Sequence, residues 1–113
     1  MRPYYPKAKR RHKPGEMNGT ERLYAEILDL RIRAGEIKEW AFEVEGLKLA
    51  DKTFYYPDFR VIMANDTIEF HEVKGGFIQE DGWLKLKIAA QIHPYKFFLC
   101  QLKKREGWSI KEV

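Results

Sequence analysis

The sequence predicts an α/β domain whose mixed sheet is flanked by helices. Two observations carry this. Helix-like and strand-like periodicities alternate along the chain in the order α-β-β-β-α-β, with room for one more strand. Residues 95–102, YKFFLCQL, are also apolar almost throughout, as a central strand covered on both faces would be. A helix between that segment and the preceding strand suggests a crossover and a mixed sheet with helices against it.

The elements follow in order. Residues 1–17 read as an arm, because Pro3, Pro6 and Pro14 oppose helix and a run of charge opposes burial. Residues 18–113 form the single domain. Residues 19–34 are the first helix, with Asn18 or Thr20 as its cap and Glu21 in its first turn. Leu23, Ile27, Leu30 and Ala34 give it an apolar stripe, and Gly35 stops it. Residues 39–45 alternate, with Trp40, Phe42 and Val44 on one side and Glu39, Glu43 and Glu45 on a solvated side. Residues 46–51 are a turn with room for a short strand around Leu47 and Leu49. Residues 53–63 and 67–74 pair as a hairpin across Asn65-Asp66, with Pro57 marking an edge or a bulge in the first. Residues 81–92 are the second helix, capped by Asp81, faced by Leu84, Ile88 and Ile92, and closed at His93-Pro94. Residues 108–113 supply a last strand.

Composition narrows the function. The chain has 113 residues, a length that suits one small domain. The net charge of +4 is unevenly spread. Residues 1–15 hold six basic residues and no acid, so the remainder carries −2. No apolar run approaches the roughly 18–20 residues of a membrane span, and no apolar signal core opens the chain. The expectation is therefore a cytoplasmic protein without membrane contact. The single cysteine, Cys100, suits a reducing compartment. One Cys with His12, His71 and His93 scattered along the chain argues against structural zinc, and His71 and His93 read as structural.

The residues that carry chemistry are Pro57-Asp58 and Glu72-Val73-Lys74. Alternation puts Glu72 and Lys74 on one face of a strand and Val73 on the other. The hairpin brings Asp58 to the same end of the sheet. Ile68 and Phe70 share the face of Glu72, so a charged pair extends an apolar row, a costly arrangement unless the charges are paired or bind metal. Asp58, Glu72 and the Val73 carbonyl make a hard-oxygen site suited to Mg²⁺, with Glu21 as an extra ligand or base. Lys74 would orient a water or meet charge developing on a phosphate. Gly75-Gly76 would let a phosphate backbone approach.

Asp58 followed by Glu72-x-Lys74 resembles the PD-(D/E)xK nuclease superfamily, and the inferred order of elements is similar to its αβββαβ, restriction-endonuclease-like core. A closer resemblance is to small phage-encoded, Holliday-junction-resolvase-like endonucleases. It rests on Glu21 with Tyr24-Ala25-Glu26, Ala34-Gly35-Glu36-Ile37, Asp58-Phe59, Glu72-Val73-Lys74-Gly75 and the Leu84-Lys85-Leu86-Lys87 stretch, over roughly residues 18–100. The resemblance implies a catalytic set of Glu21, Asp58, Glu72 and Lys74, with Glu26 as the rival carboxylate on the first helix. It implies Mg²⁺ or Mn²⁺ as cofactor and branched DNA as substrate, in host cytoplasm if the gene is a phage's. Lys85 or Lys87 would be a cation facing DNA. Two cuts on a junction need two sites, so a homodimer is expected. The rival readings are a less structure-selective DNA endonuclease and a non-catalytic nucleic-acid-binding module on the same fold. In the arm, Lys7, Lys9, Arg10, Arg11 and Lys13 with Tyr4 and Tyr5 either contact DNA or merely solubilise the chain.

Overall fold

A computed structural model describes residues 15–76 and 80–113. The arm cations Lys7, Lys9, Arg10, Arg11 and Lys13 lie outside the described residues. A five-stranded mixed sheet forms the centre, in the order β1 (Ile37–Phe42), β4 (Phe59–Met63), β5 (Ile68–Lys74), β6 (Lys96–Lys103), β7 (Gly107–Glu112). Neighbours pair antiparallel except β5 and β6, which are parallel. α2 (Glu80–Ile92) makes the crossover between those two. A separate hairpin, β2 (Leu47–Ala50) and β3 (Thr53–Tyr55), is inserted between β1 and β4. No described helix is long and apolar enough to cross a membrane.

The sheet has two dressed faces. On one, α1 (Gly19–Arg33) sets Tyr24, Ala25 and Leu28 against Phe59, Val61, Val73 and Cys100, with Trp40, Phe42 and Trp108 closing the sides. On the other, Leu86 and Ala89 of α2 and Leu47 and Tyr55 of the hairpin pack on Phe70, Phe97 and Leu99. Phe97 and Leu99 therefore face one layer and Cys100 the other, as expected of a central β6.

Several sequence expectations need correction. The first concerns both helices. The stripe of Leu23, Leu30 and Ala34 faces solvent, with Leu30 59% exposed, and α1 buries Glu21, Tyr24, Ala25 and Leu28 instead. Leu84 and Ile92 are likewise each 54% exposed, and α2 is anchored through Leu86 and Ala89. A helix crossing a sheet closely favours small side chains at the contact, and Ala25 and Ala89 supply them. Counting apolarity alone selected the wrong face in each helix.

The second correction is the run 53–63. Pro57 does more than bend it. Residues on either side join different sheets, Tyr55 pairing with Leu47 and Phe59 with His71. A proline cannot donate to a ladder, and here it marks the switch between sheets.

The third is the end of the first strand. β1 stops at Phe42, because Glu43 takes φ 52, which breaks the two-residue alternation. Glu43 turns inward, where Oε1 accepts the Gly15 N–H at 3.0 Å, and Val44 turns out. Glu45 is also engaged, accepting from Arg60 at 2.7 Å. Finally, α2 begins at Glu80, so Asp81 sits within its first turn rather than at its cap.

Asn18 does cap α1. Its side chain accepts the Glu21 N–H at 2.8 Å, and Glu21 Oε1 accepts the Asn18 N–H at 2.9 Å, a reciprocal capping box.

Candidate active site

The site is built where β4 begins and β5 ends. Phe59 pairs with His71, so the antiparallel register sets Asp58 opposite Glu72. Asp58 is fully buried and Glu72 is 3% exposed. Asp58 Oδ2 accepts the Val73 N–H at 2.8 Å, so the carboxylate continues the ladder one step beyond the start of β4. A residue's N–H and C=O point the same way in an extended strand, which turns the Val73 carbonyl toward Asp58. The Val73 side chain itself packs in the α1 layer, opposite Glu72, as alternation requires.

Both oxygens of Glu72 are held. Oε1 accepts from the Tyr55 hydroxyl at 2.8 Å, and Oε2 lies 3.3 Å from Lys74 Nζ. Tyr55 is the site residue that sequence reasoning missed. Its only signal was its place in Tyr55-Tyr56-Pro57-Asp58, and its strand belongs to the second sheet, so no register argument could reach it. Lys74 sits at the rim with a quarter of its side chain exposed. Burial pulls its pKa down, but the charges of Glu72, Asp58 and Glu21 and the hydrogen bond to Glu72 outweigh that, and the net direction is up. Lys74 is thus held as an ammonium.

Glu21 enters the corner through that same charge. It is buried at the start of α1, whereas Glu26 is exposed on the helix surface. The approach of α1 is close. A Cβ added at Gly75 would stand 2.9 Å from Thr20 Oγ1, so the absence of a side chain at residue 75 has a packing reason within the fold. Gly76 follows at φ 152, with its carbonyl accepting from Gln101 Nε2 at 2.8 Å.

The two lysines of α2 have different surroundings. Lys85 Nζ lies 3.4 Å from the Phe54 carbonyl of the hairpin. Lys87 is exposed, with Nζ 5.9 Å from the centroid of the Trp83 ring. Trp83 itself packs at the border of the α2 core. Of the histidines, His71 is buried in the α1 layer and His93 Nε2 lies 2.8 Å from the Lys48 carbonyl.

The donor chemistry suits a hard dication. Asp58, Glu72 and Glu21 bring three negative charges to a corner where, of these four groups, only Lys74 is positive. Among the described residues no three His, Cys, Asp or Glu side chains converge as a metal cage. Mg²⁺ does not ask for one. It is typically bound by one or two carboxylates, with waters and substrate phosphate completing the shell. Asp58, Glu72 and the Val73 carbonyl meet that requirement, and Glu21 contributes charge while its Oε1 serves the capping box.

Comparison with known proteins matches this chain to no family model, no curated protein and no solved structure.

Proposed function

We propose that this protein is a Mg²⁺-dependent DNA endonuclease of the PD-(D/E)xK type, with branched DNA such as a Holliday junction as its preferred substrate. The observation that carries the chemistry is the buried Asp58–Glu72 pair facing Lys74 at the end of two adjacent strands. The preference for branched DNA comes from the resemblance in sequence, and so does the expectation that the protein acts as a homodimer with two cutting sites.

Asp58, Glu72 and the Val73 carbonyl would hold the ion, with Mn²⁺ able to substitute. When bound, such an ion polarises a phosphoryl oxygen and lowers the pKa of a coordinated water. The chain's own residues do the rest. Tyr55 and Lys74 fix the two oxygens of Glu72, so its carboxylate cannot swing away. Lys74, held protonated by its neighbours, is suited to meet negative charge developing on the scissile phosphate and to orient a water, and unsuited to act as a base.

The test is cleavage of a labelled four-way junction and of a linear duplex with Mg²⁺, by the natural protein and by Lys74→Ala and Asp58→Asn. The natural protein should cut the junction faster than the duplex. Each variant should lose at least about a hundredfold, the scale expected for removing one transition-state contact. Failure to cut either substrate overturns the nuclease reading, and equal cutting of both overturns the junction preference. Light scattering on the same sample should give the mass of two chains.

A further inference from the structure

Outside the first fifteen residues, three consecutive cations occur in one place, Lys103, Lys104 and Arg105. Residues 101–113 hold four basic residues, Lys103, Lys104, Arg105 and Lys111, against two acidic ones. Residues 16–100 hold eleven basic against fifteen acidic. The turn of the C-terminal hairpin is therefore the densest run of positive charge in an otherwise acidic body.

Topology delivers this hairpin to the candidate site. β5 and β6 are parallel, with Lys74 opposite Gln101, so both strands finish at the same end of the sheet. Register partners share a face, and alternation sets Lys103 on the face of Glu72 and Lys74. β6 runs two residues past Gln101, about 7 Å at roughly 3.3 Å per residue. The chain then reverses through Lys104, Arg105 and Glu106, where Glu106 N–H donates to the Lys103 carbonyl at 3.1 Å and Arg105 takes φ 69. β7 returns with Ser109 opposite Gln101 and Lys111 opposite Leu99, which keeps Lys111 on that same face.

All four cations are exposed, and no ion pair among the described residues engages them. Gln101 ties the hairpin to the segment leaving the site through the Gly76 carbonyl.

We propose that the β6–β7 hairpin is a phosphate-binding wing that grips the backbone of duplex DNA beside the cutting site. The inference rests on the nuclease reading for the position of the scissile bond. Successive phosphates on one strand advance about 3.4 Å along the duplex axis, so a reach of about 7 Å from the level of Lys74 spans roughly two of them. Long flexible cations on a turn neutralise backbone and read no bases, so the grip is independent of sequence.

The experiment uses the full chain and the triple variant Lys103→Ala/Lys104→Ala/Arg105→Ala. Binding to a fluorescent duplex is followed by anisotropy in EDTA while NaCl is raised. Each lost phosphate contact should flatten the plot of log affinity against log salt by about 0.9, so a change of about 2–3 is expected, with at least tenfold weaker binding at low salt. The control is Arg33→Ala/Lys38→Ala, at the C-terminal end of α1 and beside Asp66 in the β4–β5 turn, away from the site. Thermal unfolding of both variants checks that they are folded. An unchanged slope in the triple variant, or an equal change in the control, overturns the wing. Strong wild-type binding without cleavage in Mg²⁺ would overturn the nuclease reading alone, because the wing is judged on binding.

Discussion

The two faces of the central sheet both bury polar groups, and they do so in opposite ways. On the α1 face the groups form a closed relay. Cys100 Sγ donates to the Tyr24 oxygen at 3.2 Å, the Tyr24 hydroxyl lies 2.6 Å from His71 Nδ1, and His71 Nε2 lies 3.0 Å from Glu69 Oε1. Each side chain of the row has the next as its hydrogen-bond partner. Burial pushes the Cys100 thiol up to about 12 and the Tyr24 hydroxyl upward as well, so both stay neutral. On the α2 face the buried groups are the carboxylates Asp58 and Glu72 with Lys74 beside them, and Glu21 of α1 adds its charge to that corner from the other layer. Depth of burial is similar on both sides, so it does not single out function. The difference is in kind: side chains hydrogen-bonded to one another stabilise a fold, while carboxylates gathered beside a lysine at a strand end suit a cation.

The largest effect that bears on this comparison concerns which side of α1 meets the sheet. Leu28→Ala should cost about 2–5 kcal/mol in urea unfolding, as a buried leucine does. Leu30→Ala, two residues further on and on the exposed side, should stay within about 0.5 kcal/mol. A reversal of these two values would mean that α1 is rotated and that the relay is not closed.

Next in size is the relay itself. Tyr24→Phe removes the hydroxyl between Cys100 and His71 and takes a hydrogen-bond partner from the buried imidazole nitrogen. The expected loss is about 1–3 kcal/mol of stability with cleavage unchanged. A fall in cleavage out of proportion to the folded fraction would show that the two faces are not independent.

The smallest effect is the pH dependence. Cys100 holds its proton more tightly folded than unfolded, where its pKa is near 9.0, and Lys74 also shifts upward from 10.5. A raised folded pKa gives stability that is complete below the unfolded value and is lost as pH rises toward the folded one. Stability should therefore be level from neutral pH to about 9 as far as these groups are concerned. It should then fall, by about 1 kcal/mol from Cys100 alone at roughly pH 10. Cys100→Ala should flatten the part of the curve that begins near 9. The same urea midpoints, read across pH, measure it.

How much of this was legible in the sequence depends on the rigidity of each element's pattern. A strand's two-residue period admits only two faces, so Ile68, Phe70, Glu72 and Lys74 could be assigned together, and the turn at Asn65-Asp66 then brought Asp58 to the same end. A helix has many possible faces. Those used here contain Glu21, Tyr24, Ala25 and Ala89, which do not look like a core when apolar residues are counted. The β2–β3 hairpin was half visible at Leu47 and Leu49, but its second strand was hidden inside a continuous aromatic run that Pro57 divides. Tyr55 was lost with it. The basic turn at Lys103, Lys104 and Arg105 was in plain sight, yet the six charges of the arm dominated the count, and only the parallel pairing of β5 with β6 shows where that turn stands.

The hydrogen bond from Val73 N–H to Asp58 gives the site an evolutionary asymmetry. Asp58 is at once a proposed ligand and a splice in the sheet, so removing its oxygen strands a buried amide. Were the proposed catalysis lost, Lys74 at the rim would be kept only for its ion pair with Glu72, whereas the sheet would still need an acceptor at residue 58. Among diverged copies of this domain, a lysine at the position of Lys74 is therefore the better witness to a working enzyme, and an acidic or amide residue at 58 testifies mainly that the sheet is still joined.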